Sequence, residues 1–342
     1  MKAQLTKAVA RAAAAHATAY PYKLWGFGED IALRALLELG DTVGDPALEA
    51  FVAGLVLPWA HGAEPPQPAD HVAPGGVLLD LAERRGDGAA LARALELGAL
   101  LTSFPVEDGV AVHRRDLEPW RDTIWVDCMA LDGPFLAKLA RTTGHTGWYD
   151  HAADALLGYA RVLQDDATGL FVHGYDVGAH RASAIHWGRG NGWALHGLVD
   201  TLESLPTDHP GATEGRARLA RLVAALRDLQ HASGRWTTVL DDPTSPLEAS
   251  TAAFYASGVL KARRLGLLPE ALAASTDGML DRALAALAQD AGDDAALLVS
   301  NATPVGDRAT YVDRPLGAFP WGQGPLILTI VEARRASAGR TA

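Results

Sequence analysis

Through most of the chain apolar residues recur at three- and four-residue spacing in stretches rich in Ala, Leu, Glu and Arg, whereas alternating β-branched or aromatic runs are few. The pattern predicts helices near 2–18, 27–40, 46–59, 74–86, 89–102, 123–143, 147–163, 187–204, 211–230, 247–264, 268–288 and 317–336. Breaks at Gly40-Asp41, Gly44-Asp45-Pro46, Gly86-Asp87-Gly88, Thr143 to Gly147, Leu205-Pro206 and Gly266 to Pro269 read as helix-to-helix turns. Short connections (41–45, 144–146) alternate with long ones (60–73, 103–122, 164–186, 231–246, 289–316), as expected for the two ends of one object. The expected architecture is all-α: six helical hairpins closed into an (α/α)6 barrel, one domain over 1–342. An open solenoid of helix pairs is the alternative. In either case the long connections are where function belongs.

Composition narrows the partners. The 342 residues carry 30 Lys+Arg against 41 Asp+Glu, a net charge of −11, with 49% hydrophobic residues and a mean hydropathy of +0.03. Without a basic run, an acidic chain is a poor binder of nucleic acid or of an anionic membrane. Any anionic ligand has to be met by a few local cations. The single cysteine, Cys128, can form no intramolecular disulfide and belongs to no CxxC pair, which fits a reducing compartment. No stretch of about 18 apolar residues appears, and the N-terminal segment lacks an uninterrupted apolar run, so a cytoplasmic, unanchored protein is expected. The oligomeric state is not legible.

The long connections hold an unusual share of the Trp, His, Asp and Gly residues. In order they contain Ala69-Asp70-His71-Val72-Ala73-Pro74-Gly75-Gly76, His113-Arg114-Arg115, Trp120, and Ile124-Trp125-Val126-Asp127-Cys128. Gly169 to Asp176, His186-Trp187-Gly188-Arg189-Gly190-Asn191-Gly192-Trp193, Trp236, Leu247 to Thr251 and Trp321-Gly322-Gln323-Gly324-Pro325 follow. Indole rings pack on the C–H faces of a pyranose, while Asp, Asn, His and Arg satisfy its hydroxyls and any carboxylate. These connections suit a sugar site. Trp125, Trp187 and Trp193 have neighbours that fit that role; Trp59, Trp120 and Trp148 read better as core packing.

The strings IWVDCMALDGPFLAKLARTTG, GLFVHGYD, WGRGNGWALHGLVDTLESLP, LDDPTSPLEASTAAFYASGVLKARRLGLLP and WGQGPLILTIVE, in this order from about residue 20 to the C-terminus, resemble the unsaturated glucuronyl and rhamnogalacturonyl hydrolases, glycoside hydrolase families 88 and 105. The rhamnogalacturonyl branch looks nearer, from WGRGNGW and LEAST. The resemblance implies an (α/α)6 barrel that removes a 4,5-unsaturated uronic acid from the non-reducing end of oligosaccharides made by polysaccharide lyases, through hydration of the C4=C5 vinyl ether. It maps the acid/base carboxyl to Asp127, a second cleft carboxyl to Asp70, and an active-site histidine to His173. A carboxyl that donates a proton near neutral pH needs burial or a neighbouring carboxylate, which Asp70 could supply. Asp70 has an alternative as a helix N-cap ahead of Pro74. His113 matches a ligand-contacting His more loosely, because Arg114 stands where the family commonly has Lys. Arg189 suits the uronate carboxylate, since a guanidinium fork can make two hydrogen bonds to it. Trp187 and Trp193 would wall the sugar, with Asn191 beside them and Tyr22, Trp25 and Trp321 at the rim.

Three other chemistries fit less well. His173, His180 and His186 have spacings that match no helical face, Asp241, Asp242 and Glu248 are interrupted by Pro243 and Pro246, and the Gly188 to Gly192 run lacks the preceding strand of a phosphate loop. No metal and no cofactor are expected. A sugar epimerase or isomerase on the same toroid, using His113 and His173 as base and acid, is the competing enzyme class; a non-catalytic helical scaffold is the third reading.

Overall fold

The computed structural model describes residues 5–24, 26–66, 71–112, 122–292 and 294–338. Among the described residues the helices are α1 (Lys7–Thr18), α2 (Phe27–Val43), α3 (Pro46–Ala60), α4 (Gly75–Arg85), α5 (Gly88–Thr102), α6 (Asp132–Thr143) and α7 (Gly147–Leu163). They continue with α8 (Gly188–Ser204), α9 (Pro210–Asp228), α10 (Ala249–Arg264), α11 (Glu270–Ser275), α12 (Asp277–Ala291), α13 (Arg308–Val312) and α14 (Pro320–Ala338). Helices α2, α4, α6, α8, α10 and α14 each pack on the next, and α14 returns to α2. That last contact closes the ring and excludes an open solenoid. Outside it, α3 packs on α2 and α4, α5 on α4 and α6, α7 on α6 and α8, α9 on α8, α12 on α10, and α1 on α14 and α2. The architecture is the (α/α)6 barrel that the loop alternation predicted.

Inner and outer helices differ as burial demands. Every residue of α8 from Gly188 to Leu202 is buried, whereas α9 buries a stripe formed by Gly211, Ala212, Gly215, Leu219, Leu222, Val223 and Leu226. Close approach within the ring explains two glycines. A Cβ on Gly192 would fall 2.6 Å from that of Phe254, and one on Gly197 would fall 2.4 Å from the Met129 carbonyl oxygen. The inner helices α2, α4 and α6 end on left-handed glycines, Gly44, Gly86 and Gly144, at the end with the short turns. All six inner helices consequently start at the end with the long connections.

Two predicted helices are corrected. Over 123–143, Thr123–Trp125 is a strand and Val126–Ala130 a 3₁₀ turn before α6 begins. The β-branched and aromatic run Thr123-Ile124-Trp125 pairs antiparallel with Gly174–Asp176, with Ile124 opposite Tyr175, which outweighs the helical spacing around it. The 268–288 helix breaks at Thr276, whose hydroxyl donates to the Ala273 carbonyl and separates α11 from α12.

Backbone hydrogen bonds join the long connections into a collar. Gly174–Asp176 also pairs with Arg181–Ala182, Val126 N–H donates to His173 O, Gly188 N–H donates to Thr238 O, and Trp236–Thr237 pairs with Leu247–Glu248. Chemistry-bearing side chains from different connections thereby become fixed relative to one another.

Candidate active site

Asp127 lies in the 3₁₀ turn between the collar strand and α6, 3% exposed. Pairing of the strand with Gly174–Asp176 brings His173, the residue just before the partner strand, to its side. His173 Nε2 is 3.1 Å from Asp127 Oδ2, and His173 Nδ1 is 2.8 Å from the Tyr311 hydroxyl. The imidazole is fully buried and caged: Trp187 lies 4.5 Å from it centroid to centroid, Tyr311 5.5 Å and Trp125 5.6 Å, the last two edge-on. Its orientation is set on all sides. Burial, with the Asp127 charge adding, pushes the Tyr311 phenol above its ordinary range, so it stays a protonated hydroxyl.

Arg189 is placed differently from the sequence expectation. Its guanidinium sits over the Trp187 ring at 4.5 Å, and its terminal nitrogens are taken up by protein partners. One donates to Glu248 Oε1 at 2.6 Å and to the Ser300 hydroxyl at 2.8 Å, the other to the Asn301 carbonyl at 2.8 Å and the Thr303 hydroxyl at 3.4 Å. Burial lowers its pKa, opposed by the charges of Glu248 and Asp127. The fork expected for a uronate is occupied by Glu248 and the 299–303 segment. What Arg189 does here is join α8, the start of α10 and the connection before α14, with Trp187 clamped between itself and His173.

Asn191 is likewise an internal bridge. Its oxygen accepts from Phe171 N–H at 2.8 Å and its amide donates to the Phe171 and Trp187 carbonyls, so two bonds tie α8 to the Gly169–His173 segment and the third holds the helix's own first turn. Trp193, 2% exposed, packs edge-on against Phe254 at 4.6 Å inside the ring, which corrects its assignment as a wall of the sugar site. Trp321 is buried, stacks on Phe319 at 4.9 Å and donates its N–H to the Ser300 carbonyl at 2.9 Å, lying under the collar and not at a rim. Tyr22 packs edge-on against Phe51 of α3 at 6.0 Å, and Trp59 is core as expected. Asp70, His113, Trp25 and Trp120 lie outside the described residues.

The discounted clusters separate in space. His180 is exposed, and His186 pairs through Nδ1 with Asp241 at 2.8 Å while His173 pairs with Asp127. Asp242 accepts from the Thr244 hydroxyl at 2.6 Å, and Glu248 belongs to Arg189.

Sequence reasoning missed four contributors. Tyr311 stands alone in a long connection and belongs to no recognisable string. The Arg189 partners Ser300 and Asn301 are equally unmarked. His71, read only as the neighbour of Asp70, places Nδ1 2.8 Å from both Asp132 oxygens, and the Tyr159 hydroxyl donates to the same carboxylate at 2.7 Å. Since Asp132 opens α6 five positions after Asp127, this buried trio ties the start of the α4 entry to the Asp127 turn. The positive φ of 49° at His71 is a backbone state that few non-glycine residues adopt, held here by that bond.

Taken together, the geometry supplies a buried carboxyl with a histidine on one of its oxygens and aromatic walls around the pair, an arrangement suited to moving a proton. The model of glycosyl hydrolase family 88 matches residues 3–337. The unsaturated rhamnogalacturonyl hydrolase YesR of Bacillus subtilis is 31% identical over 206 residues, 59% of this chain and 60% of that protein. An unsaturated 3S-rhamnoglycuronyl hydrolase of Alteromonas is 24% identical over 217 residues, 59% of this chain and 52% of its own length. The chain thus spans a little over half the length of these curated relatives. A crystal structure described as a possible member of the GH105 family, from Salmonella enterica serovar Paratyphi A, superposes with a TM-score of 0.87 at 25% identity, covering 98% of this chain and 95% of that one. With the family model matched over nearly the whole length, the chain belongs to glycosyl hydrolase family 88.

Proposed function

We propose that this protein removes a 4,5-unsaturated uronic acid from the non-reducing end of an oligosaccharide released by a polysaccharide lyase, with a rhamnogalacturonan-type disaccharide as its substrate. The observation that carries the reading is the buried Asp127 held at one oxygen by His173. In this reading Asp127 gives a proton to C4 of the C4=C5 bond, and the positive charge that develops at C5 is shared with the ring oxygen. Water adds at C5 and returns a proton to the Asp127 carboxylate. The C5 hemiketal then opens by breaking its bond to the ring oxygen, and the hemiacetal left at C1 expels the next sugar. Proton transfer by one positioned carboxyl serves both halves of the reaction.

Asp70 and His113 complete the site as second carboxyl and sugar contact, Trp25 and Trp125 supply aromatic surface, and Trp187, buried between Arg189 and His173, holds the His173 ring in place. The protein's similarity to the YesR hydrolase supports the rhamnogalacturonyl choice. A single buried cysteine supports a cytoplasmic setting. No helix among the described residues is long and apolar enough to cross a membrane.

The test is incubation with unsaturated rhamnogalacturonan and unsaturated glucuronyl disaccharides while following the ultraviolet absorbance of the conjugated acid. Loss of absorbance together with release of the second sugar is the expected result, faster on the rhamnogalacturonan disaccharide. Release of sugar with the absorbance retained would exclude hydration of the double bond. A substrate whose C2 configuration changes with no bond cleaved would revive the epimerase reading.

A further inference from the structure

The hydrogen-bond chain Tyr311–His173–Asp127 runs through three connections of the barrel and has one arrangement that leaves each of its groups satisfied. Gly306 N–H donates to the Tyr311 oxygen at 3.4 Å. The phenol proton is then free to go to His173 Nδ1 at 2.8 Å. A histidine that accepts at Nδ1 carries its proton on Nε2, and Nε2 faces Asp127 Oδ2 at 3.1 Å. In the opposite arrangement His173 Nδ1 would donate to a phenol oxygen that already accepts from Gly306, and among the described residues the hydroxyl proton would have no other acceptor.

We infer that Tyr311 is a positioning residue that fixes His173 as its Nε2–H tautomer, so that His173 always donates to Asp127 Oδ2. The consequence is chemical. A histidine presenting a bare Nε2 would accept the proton that Asp127 has to deliver to the substrate. One that donates to Oδ2 instead leaves the proton of the acid on Oδ1, the oxygen not engaged by His173. The cage reinforces this. Trp187 at 4.5 Å and Trp125 at 5.6 Å stop the imidazole from rotating, so the hydroxyl has only to choose between tautomers and not between orientations.

This inference rests on Asp127 being the acid of the proposed hydration, and its test is built to fail separately. The tautomer is read on substrate-free protein labelled with ¹⁵N-histidine, the His173 resonances being assigned by their loss in His173→Gln. The expected parent spectrum has Nδ1 unprotonated and Nε2 protonated. In Tyr311→Phe, which keeps the ring packed against His173 and Trp187, the signal should move toward the Nδ1–H form. The variant's kcat should fall by about tenfold or more with KM unchanged, since an interaction that serves only the proton transfer is not felt in substrate binding. A parent His173 protonated at Nδ1 overturns the inference, and that measurement needs no variant to fold. So does a folded Tyr311→Phe that keeps the parent tautomer, or one that changes tautomer at undiminished kcat. A parent enzyme inert on every unsaturated disaccharide refutes the proposed function instead and leaves the tautomer to be judged by its own spectrum.

Discussion

At the scale of single residues, burial separates groups that move protons from groups that hold others in place. Asp127 and Arg189 are both almost fully buried and both lie near Trp187 and His173, yet their hydrogen bonding differs. His173 engages one oxygen of Asp127. Asp127→Asn should keep the fold, since an amide oxygen can still accept from His173, and should abolish turnover because it can give no proton to C4. Activity within about tenfold of the parent, under 1.4 kcal/mol of barrier, would rule out the assignment. Arg189 carries four bonds to protein groups, and removing one member of a buried pair strands the other. Arg189→Met is expected to cost roughly 3–5 kcal/mol in urea unfolding, and Arg189→Lys to recover only part, because an ammonium cannot reach Glu248 and Asn301 with a planar fork. A folded Arg189→Met of parental stability that shows only a raised KM would restore the guanidinium to the uronate carboxylate. Nothing in the string WGRGNGW distinguishes these two uses of an arginine. The distinction depends on Ser300 and Asn301, more than a hundred residues away.

At the scale of elements, helix α8 shows what a ring position demands. Surrounded by α6, α7, α9 and α10, it must bury even its polar side chains, and His196 is one of them. His196 Nε2 lies 3.0 Å from the Ser257 hydroxyl and 3.2 Å from the Phe254 carbonyl of α10. Burial is the largest influence on this ring and brings its pKa down from 6.5 to about 4. The sign follows directly. Between about pH 6.5 and 4 the unfolded chain takes up a proton that the folded one refuses, so stability is full above 6.5 and falls as the pH drops toward 4. The loss attributable to His196 is on the order of 3 kcal/mol across that window at 1.36 kcal/mol per unit. Urea denaturation at several pH values should show a shallower slope in His196→Gln than in the parent. Identical slopes would mean that the ring is hydrated or charged in the folded state. The two corrected helices belong to this scale as well. Thr123-Ile124-Trp125 fits a helical spacing by its apolar positions, and only the presence of Gly174–Asp176 alongside makes it a strand.

At the scale of the whole molecule, charged side chains fill the barrel axis away from Asp127. A cavity of about 240 Å³ is lined by residues of all six inner helices, among them Arg34, Asp80, Lys138, Asp200, Lys261 and Arg335, while Asp127 and His173 do not line it. Arg34 of α2 reaches Asp200 of α8 across the ring at 2.9 Å, and Lys261 of α10 meets the other Asp200 oxygen at 2.7 Å. Lys138 pairs with Asp80, Arg264 with Glu332, and Arg335 with Glu38, so neighbouring inner helices are tied α4 to α6, α10 to α14 and α14 to α2. Against the cost of burial, Lys261 and Arg34 hold Asp200 below the usual carboxylate range. Asp200→Asn breaks both axial pairs but leaves Arg34 with Asp30 and Lys261 with Glu203, and is expected to cost roughly 1.5–3 kcal/mol, against under about 1 kcal/mol for Glu49→Gln at the surface pair with Arg85. Equal losses in urea unfolding would show that the axis is as well solvated as the surface.

The sequence by itself determined the helical content and the alternation of short turns and long connections, because helix period and glycine stops are local properties of the chain; closure of the hairpins into a ring was decided by the tertiary contact of α14 with α2. It also pointed to Asp127 and His173, through the resemblance of their short strings to a known family. Tertiary structure alone decided which polar residues face one another. Arg189, Asn191 and Trp193 share one string, yet the ring turns them toward the 299–303 segment, the Phe171 backbone and Phe254 respectively. Successive residues on a fully buried helix point in different directions, and each finds its partner on another element. Tyr311 was invisible for the same reason: its meaning lies in a hydroxyl 2.8 Å from His173, a residue 138 positions earlier in the chain.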